Sequence, residues 1–95
     1  MSIVVTVRIP DVDMDRVREV EKTHAEQIEK MKDALKRHGC ISHRRLYREG
    51  EILDIDEWES EEGLRAFLEE MGPTIQELAK ARGTGKPFDT IWQVY

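Results

Sequence analysis

The stretch that most constrains this chain is GCISHRRLYREGEILDIDEWES, from Gly39 to Ser60. Two runs with strand character flank the dipeptide Glu49-Gly50, and a two-residue turn containing Gly is a hairpin signature. The second run stops at Trp58. Ser60 then offers an N-cap, and Glu61 and Glu62 place negative charge where a helix N-terminus is electropositive. A hairpin is therefore expected mid-chain, with a helix entering directly behind it.

The flanks complete a pattern. Ile3 to Ile9 is rich in β-branched residues and reads as a strand that Pro10 closes. Asp11, Asp13 and Asp15 supply caps for a long helix, about Asp13 to His38, with an apolar stripe at Val17, Val20, His24, Ile28, Met31 and Leu35. Lys36, Arg37 and His38 suit its C-terminal end, and Gly39 suits a left-handed cap. Beyond Ser60, the residues Leu64, Phe67, Leu68 and Met71 form a buried side. Gly72-Pro73 predicts a break, with a second helical piece through Ile75, Leu78 and Ala79. After the loop Gly83 to Pro87, a last strand runs from Phe88 to Tyr95, with Phe88, Thr90, Trp92 and Val94 on one face.

The order β-α-β-β-α-β is the ferredoxin-like α+β sandwich: a four-stranded antiparallel sheet with helices on one face only. The other face needs a cover. Val4 points away from Ile3, Val5 and Val7, and both faces of the last strand carry an aromatic residue. The pattern predicts a homodimer that closes two sheets face to face.

At 95 residues the chain reads as a single domain spanning 1–95. A net charge of −5 argues against sequence-independent nucleic-acid binding. No apolar run approaches the roughly 20 residues needed to span a bilayer, and the N-terminal apolar run is too short for a signal-peptide core. These features predict a soluble cytoplasmic protein with no membrane partner. Cys40 stands alone, so no internal disulfide and no zinc spacing exist, and it reads as a small structural thiol. Mixed charges such as Glu26–Lys30 and Asp33–Arg37 read as a solvated helix face.

A two-residue turn at Glu49-Gly50 pairs Arg48 with Glu51, Tyr47 with Ile52, Leu46 with Leu53, Arg45 with Asp54, His43 with Asp56 and Ile41 with Trp58. Alternation puts Leu46, Leu53, Ile55 and Cys40 on one face, which suits packing against the helices. It puts Ile41, His43, Arg45, Tyr47, Asp54, Asp56 and Trp58 on the other. A carboxylate beside an imidazole fixes its tautomer and raises its pKa, so His43 and Asp56 form a candidate catalytic dyad with Arg45 as an anion partner. The alternative is a set of cross-strand ion pairs at a dimer interface, each contributing about 0.2–1 kcal/mol. His24 lies on the apolar stripe, either as an imidazole that binds a ligand or a haem iron or as a core histidine with one hydrogen-bond partner. Phe67, Phe88 and Trp92 are candidates for an aromatic wall or for the core. Gly83-Thr84-Gly85-Lys86 follows a helix and precedes a strand, the reverse of a phosphate loop, and lacks its first glycine.

Asp56-Glu57-Trp58-Glu59-Ser60, followed by a helix carrying Phe67, resembles the antibiotic-biosynthesis-monooxygenase-like branch of the dimeric α+β barrel proteins. The resemblance implies a homodimer with a pocket between sheet and helices in each subunit. It also implies cofactor-independent oxidation of a small aromatic or polyketide-like molecule. Under it, His43 and Asp56 are catalytic, and His24, Arg45, Trp58, Phe67 and Trp92 line the pocket. The haem-degrading branch uses an Asn, a Trp and a His where this chain has Val7, Phe67, and Ile75 or Gln76, so haem degradation is not expected. Two non-catalytic readings stand beside the oxygenase: a dimeric module binding a small apolar ligand among Val5, Val7, Phe67 and Met71, and a protein whose dimerisation is its whole function.

Overall fold

Alternating β-branched residues give the first strand one side that must be buried, and the rest of the molecule is arranged around that side. The computed structural model describes residues 2–95. The elements are β1 (Ile3–Val12), α1 (Met14–Thr23), α2 (Ala25–Arg37), β2 (Cys40–Arg48), β3 (Gly50–Trp58), α3 (Glu61–Arg82) and β4 (Phe88–Gln93). The strands form one antiparallel sheet in the order β2-β3-β1-β4, the expected ferredoxin-like α+β architecture. Ile3, Val5, Trp58, Ala34, Leu64, Phe67 and Met71 share one core, and Ile9, Val12, Val17 and Ile52 form a second cluster near the other end. Among the described residues, no helix is long and apolar enough to cross a membrane.

The hairpin turn falls at Glu49-Gly50, with Arg48 opposite Glu51 and Gly50 at φ +83°. Ser60 Oγ accepts from Gly63 N at 3.1 Å and caps α3. Gly63 also permits a tight crossing, because a Cβ there would stand 2.2 Å from the His38 carbonyl oxygen.

Four boundaries differ from expectation, the simplest being β4, which ends at Gln93 and leaves Val94 and Tyr95 outside the strand. Pro10 does not close β1. The strand runs on to Val12 through an irregularity between Ile9 and Val12, where Asp11 takes φ +57° and the Pro10 carbonyl accepts from Gly85 N at 2.9 Å. A bulge is where a central strand tolerates a residue without an N–H. The long first helix is two helices, because His24 leaves the helical region at φ −117°, ψ 29°. Thr23 Oγ1 donates back to the Glu19 carbonyl at 3.2 Å, a contact that bends helices. Gly72-Pro73 does not break α3, which is continuous over 22 residues with Pro73 inside it. Leu64, Phe67, Met71 and Leu78 bury one unbroken stripe, while Pro73 faces solvent. Burying four large side chains outweighs the roughly 3 kcal/mol that an interior proline costs.

The faces of the hairpin are also the reverse of expectation. The side carrying His43, Arg45, Tyr47, Asp54, Asp56 and Trp58 looks toward the helices, and Leu46, Leu53 and Ile55 lie on the bare side. Trp58 and Ile52, 1% and 0% exposed, fix that parity by filling the core. An irregularity between Cys40 and Ser42 makes Cys40, not Ile41, the partner of Trp58, so Cys40 joins the helix side and packs against the core. Ile41 is left exposed.

Candidate functional site

Beneath the helices, β2 and β3 present a row of cross-strand pairs: Cys40 with Trp58, His43 with Asp56, Arg45 with Asp54 and Tyr47 with Ile52. Same-side neighbours along a strand are about 6.8 Å apart, so the row is a ladder of regularly spaced groups. The two central rungs are polar, and neither carboxylate is left without a partner.

Among the described residues Asp54 is the buried charge, 8% exposed. Arg45 Nε and Nη2 donate to its two carboxylate oxygens at 2.7 and 2.8 Å. The bidentate fork matches the carboxylate plane, and the Asp54 hydrogen bond raises the Arg45 pKa further. One rung along, His43 Nδ1 is hydrogen-bonded to Asp56 Oδ1. That bond, above all, raises the His43 pKa, against partial burial that would lower it. With Nδ1 committed to Asp56, Nε2 is the ring nitrogen free to meet another molecule.

A groove of about 440 Å³ opens between α2 and β2, and its walls include Leu35, Lys36, Cys40, Ile41 and His43. The imidazole is therefore at the edge of a space large enough for a small ring system. Cys40 shares that wall, but burial and the nearby Asp56 push its thiol up to about 11, so it is not a thiolate at neutral pH.

The remaining candidates fall elsewhere. Trp58 and Phe67 pack on each other in the core, with ring centroids 5.3 Å apart. Trp58 Nε1 is buried there without an acceptor. Trp92 does not line a pocket under the helices: it stands on the bare side, 55% exposed, its Nε1 donating to Thr6 Oγ1 at 3.0 Å. Pairing with Val4 sets this orientation. Phe88 is on the same bare side beneath Arg8, whose guanidinium carbon is 4.8 Å from the ring centroid. His24 is half-buried at the joint between α1 and α2, its Nδ1 2.9 Å from Thr23 Oγ1. Val5, Phe67 and Met71 fill the core together and leave the apolar ligand cavity imagined among them occupied by their own side chains. Among the described residues, no cluster of His, Cys, Asp and Glu could hold a metal ion.

One residue was not anticipated. Arg82, in the last turn of α3, is half-buried with its Nε lacking a hydrogen-bond partner, and burial, then the Arg45 charge, lowers its pKa. Nothing in the sequence separates it from any cation placed to suit a helix C-terminus.

A scan against protein-family models and a search of curated proteins by sequence found no match. Solved structures do match, over the whole chain. A dimeric ferredoxin-like protein from an uncultured marine organism superposes with a TM-score of 0.73 at 19% identity, covering 99% of this chain and 88% of that one. SnoaB, a cofactor-independent oxygenase from Streptomyces nogalater, gives 0.68 at 14% identity, covering 99% and 93%. The ActVA-Orf6 monooxygenase of Streptomyces coelicolor, solved with nanaomycin D, gives 0.68 at 19% identity, covering 99% and 88%. The chain shares with these neighbours the ferredoxin-like α+β fold, a four-stranded antiparallel sheet with helices on one side.

The structural neighbours thus include the monooxygenases that the Asp56–Phe67 segment resembles. At such identities the likeness establishes the fold alone, and no residue's role is carried across by it.

Proposed function

We propose that this dimeric α+β barrel protein is a homodimeric, cofactor-independent monooxygenase acting on a small aromatic or polyketide-like molecule, with His43 as base. The observation that carries the reading is the Asp56-held imidazole at the wall of the α2–β2 groove. In the proposed reaction, His43 Nε2 takes a proton from an activated ring CH2 of the substrate. The resulting carbanion gives an electron to dioxygen, and recombination forms a hydroperoxide. Loss of water then leaves a carbonyl. One O2 is consumed, one oxygen atom enters the product, and the other leaves as water. Asp56 holds the imidazole and stabilises its protonated form.

Homodimerisation is supported by the bare side of the sheet. Val4, Leu46, Leu53, Ile55, Phe88 and Trp92 share it, and three of them are among the exposed large hydrophobics. A second copy of this side is the cover with matching chemistry, and one neighbour of the same fold is described as dimeric.

The raised His43 pKa favours a second reading, because a protonated imidazole is poised to hold an anion rather than to accept a proton. In that case the protein is a dimeric binding module without turnover. The pH dependence separates the two. Only neutral His43 is a base, so oxygenation of an anthrone should rise with pH through an apparent pKa above the ordinary 6.5. Asp56→Asn should move that midpoint downward, and His43→Ala should lower kcat by about 10²–10⁴-fold. Oxygen uptake that is flat with pH, or equal in His43→Ala, removes His43 as the base.

A further inference from the structure

Two charges on the bare side of the sheet stand alone. Glu57 shares a row there with Val4 and Trp92, and Arg44 shares the next row with Ile55. Glu51, on the same side, is taken at both oxygens: Arg8 Nη1 stands 3.6 Å from Oε1, and Arg48 Nη2 stands 2.7 Å from Oε2. The side chains of Arg44 and Glu57 make no hydrogen bond or ion pair to any described residue, so the paired rows hold one free cation and one free anion. In solvent this costs little. Under a second copy it costs much, because a charge enclosed in an apolar seam must find an opposite charge to offset its lost hydration.

The face is complementary to itself. In a two-fold contact, whatever residue i meets on the partner, that residue meets i. One free cation and one free anion are what such a contact can satisfy twice over. Arg44 and Glu57 are diagonal neighbours on β2 and β3, about 7–8 Å apart. Facing sheets are related by a two-fold axis that lies in the plane between them. Let that axis pass midway between Arg44 and Glu57, at right angles to the line joining them. Each then falls on its counterpart in the other copy. Such an axis runs oblique to the strands and continues across the middle of the sheet, so the two sheets cross steeply, toward the orthogonal class. It also carries the exposed Trp92 of one copy over the far corner of the other, where a hollow of about 400 Å³ opens beside Leu46 and Leu53. One operation thus matches both the charges and the apolar shapes.

We infer that Arg44 of each subunit pairs with Glu57 of the partner subunit, and that these two identical ion pairs set how the sheets lie on each other. This rests on the homodimer proposed above. The apolar residues of the seam drive association, and the charge pairs select one crossing among those that the apolar face alone would allow.

The test is sedimentation of four samples at micromolar concentration: wild type, Arg44→Glu, Glu57→Arg, and an equal mixture of the two variants. Wild type should be a dimer. Each variant alone sets like charges against each other at both contacts and should dimerise at least about tenfold more weakly. In the mixed dimer each contact again joins opposite charges, so the mixture should recover an affinity within about tenfold of wild type. The double variant in one chain should recover it too. A pair made within one chain would be restored by the double variant and not by the mixture. Circular dichroism of the single variants should match wild type, since both side chains lie on the sheet surface. If a reversal does not fold, Arg44→Gln and Glu57→Gln take its place, each expected to weaken the dimer by about tenfold. Unchanged dimerisation in the single variants overturns the inference, as does a mixture no tighter than its components. A monomeric wild type removes the homodimer itself, whereas a dimeric wild type with an indifferent mixture removes the ion pairs alone.

Discussion

Asp54 shows how one side chain can be costly and necessary together. Its burial is tolerated because the Arg45 fork satisfies both carboxylate oxygens. Removing one member leaves the other charged and enclosed. Asp54→Ala should therefore lower unfolding stability by about 3–5 kcal/mol. Replacing both, Arg45→Met with Asp54→Leu, should recover most of it, read from urea titrations of the three proteins. If the double variant is no more stable than the single one, the loss reflects packing and not a stranded charge. The pairing itself was legible in the sequence, since Gly50 locks the turn and the turn locks the register. What the register could not reveal was the side. A polar-aromatic row facing helices contradicts the usual hydrophobic-in pattern, and only the bulk of Trp58 and Ile52 decides against it.

At the scale of elements, the helices invert the punctuation of the sequence. Gly72-Pro73 looks like a stop and is not one, because the stripe from Leu64 to Leu78 continues underneath it. Thr23-His24 contains neither Gly nor Pro, yet the backbone turns there. The signal at the first site is local and the deciding force is burial. At the second, the cause is one hydroxyl bonding back to a carbonyl, which no periodicity records. Pro73 still costs α3 a backbone hydrogen bond. Pro73→Ala should raise stability by up to about 3 kcal/mol, seen as a higher urea midpoint with unchanged slope. A lower midpoint would show that the proline positions the helix. The middle of α3 is tied to the C-terminal end of α2 by side chains at Glu70. Arg37 and then His38 hydrogen-bond Glu70 and hold its carboxyl down at about 2. Glu70 thus stays ionised, and the clasp intact, until pH falls through that value.

For the whole molecule, the sheet divides the labour between its sides. The bare side was legible in outline from Val4 and the aromatic residues of β4. Its full extent was not, because Leu46, Leu53 and Ile55 were assigned to the core. In the proposed homodimer Trp92 lies within the contact, so Trp92→Asp should place two carboxylates in an apolar seam. Sedimentation should show wild type as a dimer at micromolar concentration and the variant as a monomer. A wild-type monomer under those conditions would remove the pairing and leave the groove at His43 untouched.

Along β3, successive residues turn to opposite sides: Asp54 and Asp56 to one, Leu53 and Ile55 to the other. Two histories can therefore be written on one strand. Substitutions at even numbers retune what is held under the helices, and those at odd numbers retune who stands on the far side. A lineage can exchange its ligand while keeping its companion, or the reverse, with no insertion, no new loop and no change of register.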